Sequence, residues 1–203
     1  MTQPNTLTAA EVLNTVGYSG FVKSLYNRSG DISKDFTHAV LGLVTETHEL
    51  FAAKEEVNAI EEIGDLAFYL EALRQTLDAH SPLVAAEFEA HLNARINVLV
   101  AEVDEGKLAD VVNEWLDLAK RWVGYGKAPT MSTSVLMAEA IALVSVVVGG
   151  MSEPGTASAR MEKAKLVNVE KLLKRYNGMQ FNAERAVNRD LPAERAVLEA
   201  NAV

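Results

Sequence analysis

A chain of 203 residues, 49% hydrophobic and sparing in Gly and Pro, can bury a sizeable core, which excludes a disordered or collagen-like polymer. Its 28 acidic against 19 basic residues give a formal charge of -9, which argues against general affinity for nucleic acid, although a bound metal or local basic cluster can still serve a small phosphate-bearing molecule. Cysteine is absent, so disulfides, thiolate metal sites and cysteine nucleophiles are excluded, as suits a reducing cytoplasm.

Residues 1–7 lack the basic and apolar regions of a signal peptide. Thr8-Ala-Ala-Glu11 has capping-box spacing, with Leu7 and Val12 placed as a staple, so a first helix is expected to start there. Breaker-rich stretches at Gly17 to Gly20 and Asn27 to Asp31 divide this region into short helical pieces. From about Lys34 to Ala53, Phe36, Val40, Leu43, Val44, Leu50 and Phe51 approximate one apolar stripe flanked by Glu46 and Glu49. A helix over about Val57 to Ala79 buries Ile60, Ile63, Leu66, Ala67, Leu70 and Leu73 by the same logic.

Ser81-Pro82 reads as an N-cap and first-turn proline opening a helix to about Asp104. A helix from about Lys107 to Val123, a break from Gly124 to Pro129 and an apolar helix to Gly150 follow. The apolar run from Val135 to Gly150 is short for a membrane span and carries Glu139, so it reads as a core helix and no membrane association is expected. A lysine-rich helix spans about Ala157 to Tyr176, and Asp190-Leu-Pro192 introduces a last one ending near Asn201. No strand pattern competes, so the fold class is all-α: a helical bundle of roughly eight or nine helices. The chain divides into an N-terminal segment (1–33), a hairpin (34–80), a further helical region (81–156) and a C-terminal part (157–203), all in one globular domain.

Chemistry concentrates in the hairpin. Glu46-Thr-His-Glu49 and Glu62-Ile-Gly-Asp65 each set two carboxylates three residues apart, on nearly one face of a helix. In antiparallel helices all four can converge, and converging carboxylates repel unless a cation neutralises them. All-oxygen ligation suits Mg²⁺, with Mn²⁺ as a substitute, rather than zinc. The bland alternative is a solvated acidic face, but Glu62 and Asp65 lie among Ile60, Ile63, Leu66 and Ala67, where an unpaired carboxylate is costly. A di-iron centre wants paired Glu-x-x-His, and the residues three before His38, His48, His80 and His91 are Asp35, Thr45, Leu77 and Phe88. No Gly-x-Ser-x-Gly, P-loop or dinucleotide fingerprint occurs.

A second candidate is Asn168-x-x-Lys171-x-x-x-Arg175-Tyr176, which puts an amide and two cations on one helical face suited to phosphate oxygens, though lysines near a helix C-terminus also stabilise the dipole. A faint echo relates Leu43-Val-Thr-Glu46-x-x-Glu49 to Leu99-Val-Ala-Glu102-x-x-Glu105, and Glu62-x-x-Asp65 to Glu114-Trp-Leu-Asp117. Trp115, Trp122 and Tyr125 could stack on a base, but aromatics in helices are more often core.

The hairpin, from His38 through Glu46 and Glu49, then from Asn58 through Glu62 and Asp65 to Tyr69, resembles the MazG-like all-α nucleoside triphosphate pyrophosphohydrolases, whose signature is ExxE, a short spacer and ExxD. Asn168, Lys171, Arg175-Tyr176, Phe181 and Asn188-Arg-Asp190 resemble the segment after the hairpin in phage-type members. The resemblance covers about residues 34–78 and 165–199 and implies Mg²⁺ on Glu46, Glu49, Glu62 and Asp65, with Glu49 handling the attacking water. It also implies phosphate contacts from Asn168, Lys171, Arg175 and Tyr176, with Lys54 as a further contact, and hydrolysis of an NTP or dNTP to monophosphate and pyrophosphate. Such proteins adjust nucleotide pools in bacteria and phages, so a homo-oligomer, as a dimer, in the cytoplasm (of the host, if phage-encoded) is the corresponding expectation. Typical small members lack the extra region over 81–156, which is either a degenerate second hairpin replacing a partner subunit or a substrate-selecting addition. The alternatives are ppGpp or a modified nucleotide as substrate, or a non-catalytic helical binding or assembly protein whose acids are structural.

Overall fold

The computed structural model describes residues 7–96, 105–130 and 157–201, with side chains for all of these except 91–112 and 157–159. Among them are eight helices and no strand: α1 (Ala9–Leu25), α2 (Ile32–Ala52), α3 (Glu56–His80), α4 (Pro82–Ile96), α5 (Glu105–Tyr125), α6 (Ala157–Tyr176), α7 (Ala183–Val187) and α8 (Leu191–Asn201). The expected apolar helix to Gly150, and the extension of α4 to Asp104, lie outside the described residues. None of the described helices is long and apolar enough to cross a membrane.

Local chemistry sets the helix ends. The capping box forms as expected: Thr8 Oγ1 accepts from the Glu11 backbone N–H at 3.3 Å, while the Glu11 carboxylate takes the Thr8 N–H at 2.8 Å. Gly17 does not end α1 but kinks it, at φ 68° and ψ 171°, a conformation glycine adopts without Cβ strain. Asp31 caps α2 by accepting from the Ser33 N–H at 2.9 Å. At the end of α6, Asn177 and Gly178 take positive φ and the Gly178 N–H returns to the Leu173 carbonyl at 3.2 Å, which stops the helix and turns the chain toward α7. The short α7, capped by Asn182, adds a helix before α8 that the sequence analysis did not anticipate.

The motif-bearing hairpin of α2 and α3 is the centre of the bundle, with α5 against α2, α6 and α4 against α3, and α8 against α6. One hydrophobic cluster unites these helices, with Phe21, Phe36, Ile63, Leu73 and Phe88 fully buried. Each such side chain contributes about 1.5–3 kcal/mol by leaving water. Of the expected stripes, Val44 and Leu70 are only half-buried and Phe51 is exposed, since they lie at the stripe margins. Val84 and Ala85 of α4, with Trp115 and Leu118 of α5, join the same core, so the described parts of 81–156 are built into the bundle.

Two glycines allow the close approaches that shape the site. A Cβ on Gly42 would lie 2.3 Å from the Tyr69 ring, and one on Gly64 would lie 2.7 Å from the Ala164 carbonyl oxygen. Gly64 sits between Glu62 and Asp65, so α6 crosses α3 directly over the second acidic pair.

Candidate metal centre and phosphate cavity

Glu46 and Glu49 project from α2 and Glu62 from α3, and one carboxylate oxygen of each lies within 4.8 Å of the others. Among the described residues this is the one group of three or more such side chains able to share a cation. Burial, reinforced by Asp65, raises Glu46 to about 7. Burial, Asp65 and a hydrogen bond with Glu46 raise Glu62 to about 9. Near neutrality the facing pair therefore holds a proton unless a cation takes its place. Glu62 Oε2 is buried with no hydrogen-bond partner, an orphaned oxygen available to a cation. Three converging carboxylates, one of which carries an orphaned oxygen, fit a hard divalent cation.

Asp65 stands beside this group but is already satisfied. Its Oδ1 accepts from the Asn168 side-chain amide at 2.5 Å and its Oδ2 from Lys171 Nζ at 2.5 Å. Lys171, wholly buried, also donates to Glu61 Oε1 at 3.1 Å. Burial alone would discharge this lysine, yet Asp65 and Glu61 outweigh it and raise its pKa above the ordinary lysine value. The expectation that Asn168 and Lys171 face substrate phosphates is thus revised: both are buried against α3, where Gly64 lets α6 come close enough to bring them onto Asp65. The Tyr18 hydroxyl donates to Asn168 Oδ1 at 3.4 Å, a second contact of this amide that helps hold it toward Asp65.

The acids open onto a cavity of about 400 Å³. Arg175 and Tyr176 line it, together with Arg189. Both guanidiniums meet Glu194 of α8: Arg175 Nε and Nη2 donate at 2.9 and 2.7 Å, and Arg189 Nη2 donates at 2.6 Å. Aromatic side chains form another part of the wall. Tyr26 stacks on His38 with centroids 4.9 Å apart, Phe68 meets Tyr69 edge-on at 5.6 Å, and Tyr176 lies 5.7 Å from Phe181. Such a wall accepts a planar group beside a charged chain.

The other residues considered lie away from the cavity. Lys54 is exposed in the α2–α3 connection and does not line the cavity. Trp115 is core, Trp122 packs on Phe36 at 4.9 Å, and Tyr125 is exposed; none lines the cavity. In the echo of the acidic motif, Glu114 is exposed and Asp117 pairs with Lys120 at 2.5 Å and Arg121 at 3.6 Å, while the Glu102 and Glu105 side chains lie outside the described residues. The sequence pattern assigned no role to Glu61, Arg189, Glu194 or, Tyr176 apart, the aromatic wall. Arg189 belongs to the Asn188-Arg-Asp190 segment, but only the fold brings Glu194 to it.

No family model, curated protein or solved structure matches the chain.

Proposed function

We propose that the protein is a divalent-cation-dependent pyrophosphohydrolase that cleaves a nucleoside or deoxynucleoside triphosphate to monophosphate and pyrophosphate. The observation that carries this reading is the convergence of Glu46, Glu49 and Glu62, with an orphaned oxygen, in a cavity that also holds two arginines and an aromatic wall. A planar base, a polyanionic chain and a hard cation are the three ligand features these surfaces complement.

Glu46, Glu49 and Glu62 would hold Mg²⁺ or Mn²⁺, with Asp65 beside them. The cation, when bound, would neutralise triphosphate oxygens and acidify water. Glu49, the most exposed of the three acids, accepts a proton from the water whose oxygen attacks the α-phosphorus. The bond from that phosphorus to the bridging oxygen breaks and pyrophosphate departs with the electron pair. Arg175 offsets the charge growing on the leaving group, and Tyr176 orients a phosphate oxygen. Lys171 and Asn168 hold Asp65 in place, as positioning residues rather than phosphate ligands.

The test incubates the purified protein with each common NTP and dNTP and Mg²⁺, resolving products by chromatography beside Glu49→Gln. Monophosphate and pyrophosphate, lost in the variant, support the reading and name the substrate. Absence of metal-dependent turnover with every one of them overturns it in favour of ppGpp, a modified nucleotide or a binding role.

A further inference from the structure

We propose that Arg175 and Arg189 form a two-guanidinium clamp for the terminal phosphates of a polyphosphate ligand, and that Glu194 is the positioning residue that sets the clamp. This deepens the reading above and rests on it for the ligand class. The two arginines come from different elements, the end of α6 and the linker between α7 and α8. Two guanidiniums repel at close range unless an anion stands between them, and the single Glu194 carboxylate accepts from both. It offsets only one of the two positive charges. Each guanidinium has five N–H donors and directs two of them to Glu194, so three on each remain for another anion.

Glu194 is itself held by the fold. It is only 2% exposed, its helix buries Leu198, and the neighbouring Arg195 reaches α3 through Asn58 Oδ1 at 2.5 Å and Glu55 Oε2 at 2.9 Å. The C-terminal helix thus seats one carboxylate at a fixed point behind Arg175 and Arg189, the two arginines that line the cavity containing the acidic triad. A fork held in one orientation loses less freedom on meeting a phosphate than a free side chain does. The competing explanation is a salt link that merely fastens α8. It predicts lower stability with ligand affinity unchanged.

Calorimetric titration of sodium tripolyphosphate with Mg²⁺ into the full chain separates the two, comparing the natural protein with Glu194→Gln, Arg189→Ala and the double variant. The clamp predicts affinity weakened at least fivefold by Glu194→Gln and at least tenfold by Arg189→Ala. It also predicts a double loss smaller than the product of the single losses, because Glu194 acts through the arginines. Arg189→Lys, at an exposed position, keeps the charge but removes the fork and should also weaken binding if Glu194→Gln fails to fold. Tripolyphosphate that does not bind the natural protein, or that binds folded Arg189 and Glu194 variants within twofold of it, overturns the clamp even where nucleotides are hydrolysed. Affinity lost in these variants, with no nucleotide hydrolysed, upholds the clamp while the hydrolase reading fails.

Discussion

Replacing Glu62 by Gln should change how the metal-free protein responds to pH. In the folded chain Glu62 titrates at about 9 and Glu46 at about 7, both above the ordinary 4.5. Between those limits the folded state holds protons that the unfolded state has lost, so stability falls as pH rises from about 4.5 toward 9. His38 works the other way, because burial lowers its pKa, but that contribution is complete by about pH 7.5. The interval from about pH 7.5 to 9 therefore reads Glu62. One proton over 1.5 pH units at about 1.36 kcal/mol per unit gives roughly 2 kcal/mol, and halving it for solvent exposure leaves about 1 kcal/mol. For a chain of this size that is a fall in Tm of about 2–4 °C. Thermal melts in EDTA, monitored by circular dichroism, should show this fall in the natural protein and not in Glu62→Gln. A flat profile in the natural protein, or an equal fall in both, would refute the proton-sharing pair.

Lys171→Met leaves Glu61 and Asp65 without their buried counter-ion and should cost about 3–5 kcal/mol, read as a lower urea midpoint; a loss below about 1 kcal/mol contradicts the assigned role. Gly64→Ala pushes a methyl toward the Ala164 carbonyl and the Asn168 Cβ and should cost about 1–3 kcal/mol by denaturant melt, with reduced nucleotide turnover as α6 shifts from Asp65. Unchanged stability and turnover would count against close α3–α6 packing. Mn²⁺ affinity, followed by electron paramagnetic resonance, should rise between about pH 6 and 9 because the cation displaces the proton held by Glu46 and Glu62; pH-independent affinity would speak against these ligands.

The parts legible in the sequence were those written in local chemistry. The Thr8 capping box, the Asp190 turn and the 3.6-residue periods around Phe36 and Ile63 marked helices before any packing was known. Carboxylate spacing likewise foretold the meeting of Glu46, Glu49 and Glu62, because a short connection forces neighbouring helices together. Helical periodicity could not tell which cations would face the cavity. Lys171 and Arg175 share a face of α6, yet Gly64 draws Lys171 onto α3 while Arg175 reaches the cavity wall. Nor does anything local link Arg189 to Glu194 and Arg175, a convergence that depends on α8 folding back across α6.

Hydrolysis of the preferred nucleotide with Mg²⁺ in ¹⁸O-enriched water, followed by phosphorus NMR and mass spectrometry, tests the central claim most directly. The account predicts monophosphate and pyrophosphate in equal amounts, with ¹⁸O in the monophosphate alone and no turnover in Glu49→Gln. Release of orthophosphate and a diphosphate, label in the pyrophosphate, or undiminished turnover in the variant would contradict it.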